Sequence, residues 1–170
     1  MIILINIQEI IHQKFNLLLM KEFNSINEIL DFAIQSEQEA IDFYTQLAEM
    51  TKSDTIKKIF TDFAIEEMGH KAKLTDIKLT GLFNIAAETI VDLKISDYLV
   101  SVHAAPDMSY EDALVLAMKK EKSAFKLYNA LADRSSNVDL KNLFLLLAQE
   151  ESKHKLRFEI EYDEHVLREN

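Results

Sequence analysis

The 170-residue sequence contains no cysteine, no tryptophan, two glycines and one proline. Without cysteine there is no disulfide scaffold, no thiolate zinc or iron–sulfur site, no rubredoxin-type module and no thiol nucleophile. Any metal must be held by oxygen and nitrogen. So few turn residues exclude a many-stranded sandwich or barrel, which needs turn chemistry every ~10 residues. Basic clusters are missing as well: 29 acidic side chains against 19 basic ones leave a net charge of −10. That balance argues against nucleic acid, whose phosphates are met by clustered Lys and Arg. Nor is there a run of about 20 uncharged apolar residues able to span a bilayer. Met1–Met20 comes nearest, but Glu9, His12 and Lys14 interrupt it. It also lacks the leading positive charge and small-residue cleavage site of a secretory signal. The expected location is cytoplasmic, with no membrane span.

Apolar residues make up 48% of the chain and charged residues 28%, the balance of a folded, soluble protein. Ile3, Ile7, Ile10, Ile11, Phe15 and Leu18 follow helical spacing, so residues 1–20 are expected to form an amphipathic helix or extension covering this chain or a second subunit. Met20, just upstream of the first capped helix, offers an alternative start. Four longer helices follow. Ser25 and Glu28 form a capping box, and Ile26, Ile29, Leu30, Ala33, Ile34, Ala40, Ile41, Tyr44 and Leu47 carry a buried stripe to about Met50. Ser53 or Asp54 caps the second helix, whose stripe of Ile56, Ile59, Phe60, Phe63, Ala64, Leu74 and Ile77 ends at Gly81. The third starts after Pro106, with Ser109 as cap, and presents Leu114, Ala117, Met118, Ala124, Phe125, Tyr128 and Leu131. The fourth starts near Asn137 and presents Leu140, Leu143, Phe144, Leu147, Ala148 and Phe158.

Only a few residues join helix one to two and helix three to four, so each pair is an antiparallel hairpin. The segment from Leu82 to Met108 has 27 residues, is too apolar for a linker, and is long enough to travel the length of a bundle. Sliding the sequence by 84 positions aligns residues 36–74 with 120–158 without a gap, and 12 of 39 positions are identical, which makes the chain two copies of one helical hairpin.

Several of the repeated identities are polar where apolar residues belong. Glu37 and Glu121 sit mid-stripe on the first and third helices. Glu67-x-x-His70 and Glu151-x-x-His154 continue the inner faces of the second and fourth. An unpaired ionised carboxylate in that setting is prohibitively costly, so the groups must neutralise one another, protonate or bind cations. Two divalent cations would match four carboxylates in charge. Carboxylate oxygen with imidazole nitrogen and no sulfur suits iron or manganese, admits zinc, and disfavours calcium and magnesium. Glu67 and Glu151 are the expected bridges, with Glu37 and His70 near one ion and Glu121 and His154 near the other. Glu9-x-x-His12 has no repeat mate and reads as chance. Glu66, Glu150, Lys71 and Lys155 read as solvated or i,i+4 partners, and His103 and His165 as surface residues.

This pattern, E37-x2-A40-x3-Y44 with E67-x2-H70 and E121-x2-A124-x3-Y128 with E151-x2-H154, resembles the rubrerythrin branch of the ferritin-like di-iron carboxylate superfamily over about Ser25 to Glu161. The resemblance implies an all-α, ferritin-like antiparallel four-helix bundle over residues 21–170, with one long crossover between helices two and three. It implies two iron ions and an oxidoreductase that reduces hydrogen peroxide or dioxygen at the expense of Fe(II), with Tyr44 and Tyr128 beside the ligands. The sequence departs from the family in two respects. Peroxidase-type members carry a second carboxylate one turn from the third-helix ligand, whereas the flanking positions here are Met118 and Ala124. They also carry a four-cysteine donor domain, so electrons here must come from a separate protein or from the Fe(II) being oxidised. Two other outcomes are a ferroxidase or iron-handling protein that stores iron, and a metal-binding structural dimer without turnover. The additional helix being N-terminal favours a homodimer over a cage.

Overall fold

The computed structural model describes Phe23, residues 25–81 and residues 108–167. The expected helix over residues 1–20, the Glu9–His12 pair, the segment 82–107 and His103 lie outside the described residues. Four long helices make up nearly all of the rest: α1 (Ile26–Met50), α2 (Asp54–Thr80), α3 (Tyr110–Arg134) and α4 (Val138–Tyr162), the last running into a π-helical turn at Asp163–Leu167.

Each start is fixed by a side chain that accepts a bond from an otherwise orphaned backbone N–H. Ser25 Oγ accepts from Glu28 N at 3.2 Å, Ser53 Oγ from Ile56 N at 3.4 Å, Ser109 Oγ from Asp112 N at 3.0 Å and Asn137 Oδ1 from Leu140 N at 2.9 Å. Gly81 ends α2 in the left-handed region at φ 55°, donating its N–H to Ile77 O at 3.2 Å. A Cβ is disfavoured there, which explains one of the two glycines.

Contacts between helices fix their directions. Asp31 near the start of α1 pairs with Lys78 near the end of α2, Gln38 meets Lys71, and Tyr44 meets Phe63, so α1 and α2 run antiparallel. Tyr110 and Glu111 at the start of α3 meet Glu161 and Tyr162 at the end of α4, so the second hairpin is antiparallel too. Across the hairpins, Tyr44 bonds Glu121 and Tyr128 bonds Glu37, which makes α1 and α3 antiparallel. It follows that α2 and α3 point the same way. The chain leaves α2 at one end of the bundle and enters α3 at the other, as a ferritin-like bundle requires.

The apolar core is divided into two lobes. One joins the start of α1, the ends of α2 and α3 and the start of α4 through Ile29, Leu30, Leu74, Leu131, Leu140 and Phe144. The other gathers Tyr44, Leu47, Phe60, Phe63, Leu114 and Phe158 at the opposite end. Each fully buried side chain of this size contributes about 1.5–3 kcal/mol. Phe125, expected on the inner stripe, is instead 39% exposed. It lies one position off the row formed by Ala117, Glu121, Ala124, Tyr128 and Leu131, and so falls on the flank of the buried face. Among the described residues no helix is long and apolar enough to cross a membrane.

Candidate metal centre

Between the two lobes the four helices bring the six sequence-selected polar residues together. Glu37, Glu67, Glu121, Glu151 and His154 are all buried, at 1–3% exposure, while the His70 side chain is 13% exposed. His70 Nδ1 lies 3.1 Å from Glu67 Oε2, 3.2 Å from Glu151 Oε1 and 3.6 Å from Glu37 Oε2. His154 Nδ1 lies 3.0 Å from Glu67 Oε1, 3.5 Å from Glu121 Oε2 and 3.9 Å from Glu151 Oε2. Their rings stack nearly parallel with centroids 5.4 Å apart. The donor atoms fall into two groups, Glu37–Glu67–His70–Glu151 and Glu67–Glu121–Glu151–His154, each with its atoms within 4.8 Å of one another. Glu67 and Glu151 belong to both.

The two tyrosines complete a reciprocal pattern. Tyr44 donates from α1 to Glu121 on α3, and Tyr128 donates from α3 to Glu37 on α1. Each phenol therefore occupies one oxygen of a carboxylate whose other oxygen faces a histidine. Burial, reinforced by the Glu121 charge, holds the Tyr44 hydroxyl protonated far above its usual range.

Without cations the cluster balances itself with protons. Burial, opposed by His70 and aided by the Glu67 charge, pushes the Glu37 carboxyl up to about 8. Burial and the charges of Glu67 and Glu121 raise Glu151 well above the carboxylate range. Burial would raise Glu67 as well, but bonds from His154, His70 and Glu37 outweigh it and hold that carboxyl below the range. Burial disfavours a charged imidazole, yet Glu121 and Glu67 push His154 up to about 10, and Glu151, Glu37 and Glu67 raise His70 further. Proton sharing leaves an imperfect fit. Glu67 Oε1, Glu121 Oε2, Glu151 Oε1 and His154 Nδ1 are buried without a hydrogen bond of acceptable geometry. Natively folded interiors pair nearly all such atoms. All four belong to Glu67, Glu121, Glu151 and His154, which α2, α3 and α4 bring into one group of possible ligands. A pair of divalent cations with oxygen–nitrogen preference fits this donor set.

One participant escapes sequence reasoning. Glu66, expected to be solvated, places Oε2 3.1 Å from His154 Nε2 and Oε1 2.5 Å from Arg157. Arg157 in turn lies over the Phe63 ring at 4.2 Å. Its repeat mate Glu150 pairs instead with Lys153 at 2.7 Å on its own helix. Lys71 reaches across to Gln38, Lys155 pairs with Glu159 four residues on, and His165, 48% exposed, pairs with Glu161 at 2.8 Å.

A rubrerythrin family profile matches residues 28–104 and 112–170, spanning both hairpins and all six clustered residues. The chain belongs to the rubrerythrin family. These 170 residues contain no cysteine and so no four-cysteine rubredoxin-type site. Its fold is similar to that of a Thermotoga maritima protein assigned as ferritin-like and diiron-carboxylate, at TM-score 0.68 and 23% identity, covering 82% of this chain and 95% of that one. A Pyrococcus furiosus hypothetical protein matches at TM-score 0.59 and 25% identity, over 82% and 89% of the two chains. YhjR of Bacillus subtilis, an uncharacterized protein, is 26% identical over 131 residues, 76% of this chain and 81% of its own. Rubrerythrin membership and the carboxylate–histidine cluster together mark this as a protein of the di-iron type.

Proposed function

We propose that this rubrerythrin is a cytoplasmic, homodimeric oxidoreductase that reduces hydrogen peroxide or dioxygen at a pair of iron ions held by Glu37, Glu67, His70, Glu121, Glu151 and His154. The domain responsible spans residues 21–170, with residues 1–20 as an extension. The observation that carries the reading is the sharing of Glu67 and Glu151 between two groups of donors, each completed by one terminal glutamate and one histidine. Two ferrous ions bound there supply the two electrons that, with two protons, convert hydrogen peroxide to two waters. Manganese or zinc meets the same ligand preferences, but zinc cannot supply electrons.

The residues of the chain hold ligands and protons. Glu37, Glu151 and the imidazoles would give up protons to serve as ligands, so loading would be accompanied by proton release. Tyr44 and Tyr128 donate from Oη to Glu121 and Glu37, which fixes the orientation of the terminal carboxylates. The apolar lobes above and below exclude water from the rest of the core. Met118 packs against the second lobe and Ala124 against the first, so no further carboxylate reaches the ions from α3. Electrons are returned by a separate donor protein.

The test is an anaerobic Fe(II) titration of the purified chain, followed by stopped-flow mixing with peroxide or with oxygen. Two irons per chain and faster oxidation by peroxide support the reading; fewer than one iron per chain refutes the site. Particles holding many irons per chain would instead establish storage.

A further inference from the structure

The two halves of the cluster are repeats, but their histidines are held differently. His154 is 2% exposed, and its outward nitrogen Nε2 meets Glu66 at 3.1 Å, whose other oxygen is clamped by Arg157 at 2.5 Å. His70 is 13% exposed, and among the described residues its Nε2 pairs with no carboxylate, because Glu150 turns to Lys153. A carboxylate on the outer nitrogen fixes the tautomer with the proton on Nε2, leaves the lone pair on Nδ1, and makes that nitrogen a stronger donor. It also locks the ring in the orientation a ligand needs. The asymmetry lies at residues 66 and 157 against 150 and 73: Lys73 stands where the first hairpin would need its Arg157.

We propose that Glu66, held by Arg157, is a positioning residue for His154 and makes the two metal positions unequal, so that the Glu67–Glu121–Glu151–His154 position fills first and the Glu37–Glu67–Glu151–His70 position fills second and exchanges more readily. This rests on the two-metal reading above. The anchored position is the permanent one, and the half with the partly exposed histidine is where an ion enters and leaves.

The test is an anaerobic Co(II) titration of the full chain, followed by calorimetry and by the ligand-field absorption of bound cobalt. The wild-type chain is expected to bind two Co(II) in two steps separated by about 10-fold or more, and Glu66→Ala to weaken the first step by about 10–100-fold, the range for removing a partner of a ligating histidine. Glu66→Gln, which keeps an acceptor for Nε2–H, is expected to recover most of that loss and the wild-type cobalt spectrum. Glu150→Ala is expected to leave both steps unchanged. His70→Ala should remove the weaker step and His154→Ala the stronger, an order readable even if Glu66→Ala does not fold. Two equal steps in the wild type, an unchanged first step in Glu66→Ala, or an equal effect of Glu150→Ala would overturn the asymmetry while leaving the two-metal site standing. Absence of cobalt binding by the wild-type chain would refute the site itself.

Discussion

Replacing Tyr44 or Tyr128 by phenylalanine removes one oxygen from a ring that is 0% or 1% exposed and disturbs little else. The rings keep their packing, Tyr44 on Phe158 at 5.7 Å and Tyr128 on Phe144 at 6.1 Å between centroids. What disappears is the donor to a buried carboxylate, Glu121 in one case and Glu37 in the other. Leaving a buried acceptor without its donor costs about 1–3 kcal/mol, and a site this closed offers little water to take the donor's place. Each variant should therefore lose about 2 kcal/mol, and the two losses should match because the contacts are images of each other across the repeat. With a urea slope of about 2 kcal/mol/M, the midpoint falls by about 1 M. Far-UV circular dichroism of the metal-free chain in urea reads this directly. An unmoved midpoint in either variant, or losses differing by more than about 1 kcal/mol, would refute the reciprocal arrangement.

Stoichiometry distinguishes shared from terminal ligands: Glu67→Ala is expected to abolish Fe(II) binding, whereas Glu37→Ala should retain one ion, and two ions bound by Glu67→Ala would remove that residue from the site. The metal-free chain should lose thermal stability as pH rises. Folded Glu37 keeps its proton to about 8 against 4.5 for a free carboxyl, and folded His154 to about 10 against 6.5 for a free imidazole. Both then hold extra protons in the folded state, so unfolding becomes easier from about pH 5 to pH 10, while acid below the carboxylate range removes the contribution of Glu67. Over the same interval metal affinity should climb, because fewer protons need displacing; a melting temperature that rises with pH would contradict the proton assignment. Gly81→Ala should cost about 1 kcal/mol through its left-handed backbone alone, since a Cβ there meets nothing within 4 Å; an unchanged melting temperature would show that the α2 terminus carries no such constraint.

Most of the bundle and the six clustered residues were legible because the signal was a contradiction. Glu37 and Glu121 interrupt stripes that are otherwise apolar, and the 84-residue repeat reproduces the interruption with its histidines. Caps at Ser25, Ser53, Ser109 and Asn137 were legible too, since capping is a local bond over three residues. Glu66 was not. It stands next to Glu67 in sequence but a hundred degrees around the helix from it, on a face that looks solvated. Its partner His154 is 88 positions away on a helix whose direction relative to α2 depends on the whole topology. Phe125 failed for a related reason: a periodic stripe has edges, and sequence alone does not say how wide a face the neighbouring helices cover.

The antiparallel pairing of α1 with α3 and of α2 with α4 bears on how the protein is assembled in time. Each hairpin is built from contacts close in sequence and can form quickly by itself. Neither can seat its acidic groups alone, because every terminal glutamate takes its phenol, and His154 its outer carboxylate, from the other half. Docking of the two hairpins is thus the step that desolvates four carboxylates at once, and a divalent cation held between them would stabilise the docked state. Cation supply would then raise the share of chains held docked beyond what proton sharing alone maintains, in addition to setting how much of the protein is loaded.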